Sequence, residues 1–521
     1  MRYASTGQAG GQIDFGRRFG PDNSVGVRVN GAFMAGNTAV ANNSDQLAAL
    51  TVGLDYRGDA TRLDADFGYQ NRRIIGSQGG TFVAPGLQVP AAPSARSNYY
   101  QPWEFYATND TYGMLRFEHD FTPDLTAFLK VGGNRSNGAF LLGFPTINDA
   151  QGNTTASPFK YLTYNESLSA ETGARGRFDT GPLHHEAVLS GSYLKIDRGS
   201  AVNTVPDVAS NIYSPIVQAA PDLTGAATGA QLISTTVQTS IGLIDAISMA
   251  QNRVQLIGGV RAQRIQVSNY DDTGLPTAGY DQSVVTPSVS LIVRPWTAVA
   301  FYANYIEALE QGPIAGPGLT NAGQAFAPFV SRQFEVGAKL DLGKFGATLS
   351  AFQITKPSSF ANPANNSLVV DGQQRNRGIE FTMFGEPLPG LKPIGGFTVL
   401  DAIQTSTLDG TNNGKYAPGV PTFQANVGLD WDTPFLKGFA LSGRIIYTGQ
   451  SYVDPENIQP VPAWTRFDLG ARYTFDRADG KPVSLRANVI NVGNNNYWMA
   501  SNGYVTQGQP RTFLLSLTAD F

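Results

Sequence analysis

Aromatic rings and arginine crowd two stretches of this 521-residue chain. The first, Thr81 to Asn109, holds Tyr99, Tyr100, Trp103, Phe105 and Tyr106 beside Arg96. The second holds Phe140, Phe144, Phe159 and Tyr161. Ring faces stack on flat groups and attract cations, while a guanidinium pairs with anionic oxygens in a fixed fork. Such a set suits a bulky, often anionic chelate. The candidate ligand-binding residues are therefore Arg96, Tyr99, Tyr100, Trp103, Tyr106, Phe140, Phe144 and Tyr161. The competing expectation for any one ring is that it sits at an interface or packs loop on loop.

Other chemistry is thinly represented. Of the three histidines, His184 and His185 are adjacent and point to opposite faces of a strand, a poor metal pair. His119 stands apart. Asp271-Asp272-Thr273-Gly274 lacks the remaining ligands of a calcium loop and reads as a solvated turn. Cysteine is absent, which removes disulfide and thiolate chemistry. No signature places a serine beside a base, so no enzyme is read, and no cofactor or protein metal site is expected. A formal net charge of -4 and the lack of a basic run exclude nucleic acid as a partner.

The elements that must position these residues are strands. Phe513, Leu515, Leu517, Ala519 and Phe521 fall on one face of the last segment, with Thr512, Ser516, Thr518 and Asp520 on the other. From Phe423, apolar positions alternate with Gln424, Asn426, Gly428 and Asp430, and from Phe467 they alternate with Arg466, Asp468 and Arg472. Charged residues are 15% of the chain, against roughly 25% in soluble domains. No apolar run approaches the ~18 residues of a membrane helix. Hydrophobicity spread over alternate positions, with arginine and aspartate on the opposite face, describes strands between lipid and a watery lumen. A closed barrel is the one strand structure that satisfies its backbone in lipid. Trp296, Trp431, Tyr447 and Tyr473 are then expected in the aromatic girdle.

Short turns such as Gly20-Pro21-Asp22-Asn23, Thr433-Pro434-Phe435 and Arg477-Ala478-Asp479-Gly480 alternate with long irregular stretches around residues 73–110, 137–163, 199–235 and 310–329. Counting across them, with Arg2 to Ala4 as the tail of a strand, predicts an all-β, 22-stranded antiparallel transmembrane barrel with short periplasmic turns and long external loops. A barrel that wide is the plugged, transporter kind. Lumen arginines Arg444, Arg466, Arg472 and Arg486, with Asp430 and Asp468, would line its water and meet a plug.

Several motifs carry a resemblance. Asp14-Phe15-Gly16-Arg17-Arg18-Phe19-Gly20, Gln333-Phe334-Glu335-Val336-Gly337, Gln374-Arg375-Asn376-Arg377-Gly378-Ile379-Glu380, Asn488-Val489-Ile490-Asn491-Val492 and Gly508-Gln509-Pro510-Arg511-Thr512-Phe513 stand in an order that resembles the barrel of TonB-dependent siderophore receptors. The resemblance spans residues 1–521 as one barrel domain. It implies import of ferric siderophores across the bacterial outer membrane, with iron held by the chelate. It also implies coupling to TonB, ExbB and ExbD through a plug and TonB box, contact with outer-membrane lipid, action as a monomer, and Phe521 as the signal read by the barrel assembly machinery. The plug, the TonB box, a signal peptide and most of the first strand are expected ahead of Met1. The alternatives are a passive plugless pore, or a receptor for another chelate such as cobalamin.

Overall fold

The computed structural model describes every residue except Asp272, Pro317, Gly318, Gly323 and Pro363. One member of the Asp271–Gly274 turn and three positions of the 310–329 stretch thus lie outside the described residues. Among those described, twenty-two strands form one sheet in which each is antiparallel to its chain neighbours. No helix among them is long and apolar enough to cross a membrane.

Closure comes at the chain ends. Arg2–Ala4 pairs with Gln8–Phe19 on one side, Arg2 opposite Gly10, and with Thr512–Ala519 on the other, Arg2 opposite Ser516. A ring of strands has no edge strand, which is what lets a sheet sit in hydrocarbon. The period-two reading holds around the wall. Phe467, Leu469, Leu485, Phe513 and Leu515 stand exposed on the outer face. Inside, Arg472 donates to Asp430 at 3.2 Å and to Asp432 at 2.8 Å, while Arg466 pairs with Asp468 at 3.0 Å.

Strand lengths depart from the sequence reading. Phe159–Thr180 and Leu183–Thr204 have 22 residues each, and Phe105–Thr122 and Leu125–Leu142 have 18 each. Crossing the bilayer takes about 9–11. Tyr106, Phe140 and Tyr161, expected in loops, therefore lie on strands. The hydrogen-bond ladder continues past the lipid into water, where both faces can be polar, so the alternation that betrays a strand disappears before the strand does.

The long connections are not separate. Residues 76–104 form a strap packed against four other connections, at 143–158, 205–230, 449–463 and 491–511. Its Phe82–Val83 runs parallel to Thr146–Ile147, which continues through Asn153–Ala156 to Val208–Asn211 in a four-stranded sheet. Val83, Tyr99, Tyr100, Ile147, Ile212, Val453, Val461, Trp498 and Val505 make a buried core among these five segments.

Candidate ligand site

Tyr106, Phe140 and Tyr161 are direct partners across three neighbouring strands. By strand parity they share the lumen face with Arg116, Lys130 and Glu171. Their rings stack, Tyr106 on Phe140 at 4.4 Å between centroids and Phe140 toward Tyr161 at 6.1 Å. The row continues through Phe159 (6.3 Å from Tyr161), Phe144 (5.8 Å from Phe159), Phe82 (6.3 Å) and Tyr504 (6.2 Å). Phe82, Phe144 and Tyr106 remain more than a third exposed, so solvent reaches ring surface at the Tyr106 end and again at Phe144 and Phe82. Beside it, Arg72 makes a two-pronged pair with Asp45 at 3.0 and 2.9 Å. Aromatic surface next to a fixed cation suits a bulky anionic chelate.

Close approach of backbone to ring seats the row. At Gly79 a Cβ would lie 3.0 Å from Phe144, and at Gly80 it would lie 2.6 Å from Tyr504. The Gly79-Gly80 pair thus lets the strap lie flat on two members. Phe82 and Tyr504 were missed by sequence reasoning. Their only signal is a lone ring after glycine, in Gly79-Gly80-Thr81-Phe82 and Asn502-Gly503-Tyr504.

The remaining candidates stand elsewhere. Tyr99 and Tyr100 are 1% and 5% exposed, stacked at 4.9 Å, and both hydroxyls meet Thr81 Oγ1 at 2.8 Å. Burial pushes the Tyr99 phenol up to about 12 and that of Tyr100 well above its usual range. Their surface is used up in packing, because two large rings side by side are the apolar bulk that five loops need for a common core. Trp103 donates its indole N–H to the Gln218 carbonyl at 3.1 Å, and Gln101 bonds Ile216 O and Gln218 N, so this corner clamps the strap to the 205–230 segment. Arg96 is exposed on the strap. Geometry brings together Tyr106, Phe140, Phe144 and Tyr161, and leaves Tyr99, Tyr100 and Trp103 behind them as supports.

The histidines face partners of the wall. His119 Nδ1 is 2.9 Å from Thr61 Oγ1, and His185 bridges Thr180 Oγ1 and Asp245 Oδ2 at 2.7 Å each while lying parallel to Phe178. This ties a hairpin end to the next strand. Among the described residues no group of three His, Cys, Asp or Glu is arranged to hold a metal ion.

Comparison with known proteins decides the family. Residues 37–492 match the model of the TonB dependent receptor-like β-barrel. The chain belongs to the TonB-dependent receptor family. The receptor is 36% identical to the ferrichrome receptor FcuA of Yersinia enterocolitica, over all of this chain and 70% of that protein. Among solved structures it resembles BauA, the ferric preacinetobactin receptor of Acinetobacter baumannii, with a TM-score of 0.92 and 34% identity over all of this chain and 79% of that one. PiuA from the same organism shares the fold, with a TM-score of 0.87 and 18% identity. The barrel of this receptor is accordingly an outer-membrane one.

Proposed function

We propose that this receptor captures a ferric siderophore at the cell surface and passes it to the periplasm, with the aromatic row as the seat of the chelate. The observation that carries the reading is the likeness along the entire chain to a ferrichrome receptor. Tyr106, Phe144 and Tyr161 offer ring surface, with Phe140 packed between Tyr106 and Tyr161, and Arg96 offers charge. Tyr99, Tyr100 and Trp103 hold the strap in place. Iron stays on its chelate, and the work is binding and release, with no catalytic step.

Residues 1–521 act in this reading as one barrel domain. Energy comes from TonB, ExbB and ExbD, the coupling partners expected for a receptor of this family. The other partners are outer-membrane lipid and, during insertion, the barrel assembly machinery reading Phe521, and the receptor works as a monomer. The test is binding of iron-loaded ferrichrome and preacinetobactin to the purified receptor, paired with radio-iron uptake in a strain lacking it. Uptake unchanged by loss of the receptor for every siderophore offered removes the assignment.

A further inference from the structure

Glu104 ends the strap and is 2% exposed, yet it carries a carboxyl group. Each oxygen accepts one backbone N–H, Oε1 from Gln101 at 3.1 Å and Oε2 from Gly143 at 3.0 Å. Its backbone is fixed as well, since the Gly76 N–H donates to Glu104 O at 2.7 Å. Gly143 immediately precedes Phe144, the ring that joins the strap's Phe82 to the wall's Phe159. A side chain at position 143 would press on its neighbours. A Cβ there would stand 3.3 Å from Ala156 Cβ and 3.4 Å from both Glu104 Oε1 and Pro158 Cγ. The glycine is held against the carboxylate from one side and the 156–158 turn from the other.

We propose that Glu104 is a positioning residue for the ligand site: through Gly143 it sets the Phe144 ring and so joins the strap to the aromatic row. The inference rests on the reading of that row as the siderophore seat. Buried carboxylates lose hydration that two N–H donors replace only in part. Burial accordingly pushes the Glu104 carboxyl up to about 7, against the two backbone hydrogen bonds that pull it down.

The surroundings offer nothing else that titrates near neutrality. From the strap, the Tyr100 phenol faces Glu104 and is held neutral well above its usual range. From the 143–158 segment come Gly143, Ala156 and Pro158, and from the 205–230 segment Ile216 and Gln218 reach it through Gln101; none of these is ionisable. Among the described residues no cation pairs with Glu104. The sign follows from linkage. Docked, the carboxyl titrates near 7, and undocked at its ordinary 4.5, so docking is favoured at low pH, fades as pH rises between those values and is at its floor above 7. The ratio of docked to undocked strap falls roughly tenfold between pH 6 and pH 8.

The test uses hydrogen exchange of peptides spanning 97–104 and 139–146 in the intact receptor, corrected for the intrinsic pH dependence, with ferrichrome affinity measured alongside. Wild type should lose about tenfold protection in both peptides from pH 6 to 8. Glu104→Gln, close in shape and always neutral, should fold, remove that slope, and shift ferrichrome affinity without its pH dependence. Gln101→Ala, which cuts the clamp to the neighbouring loop but keeps the carboxyl, should retain the slope. Equal slopes in wild type and Glu104→Gln overturn the inference. Failure of wild type to bind ferrichrome and every other ferric siderophore offered overturns the siderophore reading alone, because the exchange data still report on Glu104.

Discussion

Tyr106 and Phe140 stack at 4.4 Å between centroids from directly opposed positions on neighbouring strands, on the lumen face of the wall. The pair gives the row a rigid foundation, since a side chain on a paired strand has fewer alternatives than one on a loop. Aromatic pairs of this kind contribute about 0.5–1.5 kcal/mol beyond their burial.

Replacing Tyr106, Phe140 and Tyr161 together by alanine should weaken binding of the cognate ferric siderophore about 10- to 100-fold, roughly 1.4–2.8 kcal/mol. The barrel should still assemble, because the three side chains lie on the lumen face and not on the lipid face. Titration calorimetry on the purified triple variant, with its heat-modifiable gel mobility as the folding control, checks both halves.

Tyr99→Phe and Tyr100→Phe remove hydroxyls that meet Thr81, at a cost of about 0.5–1.5 kcal/mol each to loop packing. Truncating either ring to alanine should cost more, about 3–5 kcal/mol, by opening a cavity in the loop core. The expected readout is faster proteolytic cleavage within 76–104 while the barrel's thermal transition stays in place. Unaltered proteolysis would mean that the five segments do not share a core.

Glu118 is 5% exposed on the lumen wall and pairs with Arg62, Arg116 and Arg175 at 3.2, 2.7 and 2.7 Å. Its loss leaves three guanidinium groups crowded without their common anion, although Arg62 keeps Asp120 at 2.6 Å. Glu118→Ala should therefore cost about 1–3 kcal/mol of stability and lower the thermal midpoint in detergent more than Arg116→Ala or Arg175→Ala. Scanning calorimetry of the three variants ranks them.

Phe521 is 93% exposed, with the Arg477 guanidinium 5.1 Å from its ring centroid. So little contact makes the ring a minor contributor to the finished barrel. Phe521→Ala should leave detergent refolding unchanged and reduce the amount of barrel in the outer membrane several-fold, as read by quantitative blotting of membrane fractions.

The wall was legible in the sequence because lipid imposes period two, and Arg472 opposite Asp430 was already on the watery side of that pattern. The strand ends were not legible. At Tyr161 both faces already meet water, and no alternation remains to mark the ladder. The site was half legible. Residue type pointed to rings in the right segments, but type does not distinguish Phe144, exposed on the row, from Tyr99, consumed by packing. That distinction depends on which distant segments converge, and Trp498 and Val505 reach Tyr99 and Thr81 from some four hundred residues away.

Five loops with one buried core amount to a small water-soluble domain, assembled from discontinuous pieces and carried on a membrane-embedded ring. One core shared by five segments couples their folding. Exchanging a single loop with a relative would expose the partners of Ile147 or Val461 and collapse the others. New ligand preference in this receptor should therefore be engineered by changing rim residues such as Phe82 or Phe144 within the set, or by transplanting the five segments as a unit.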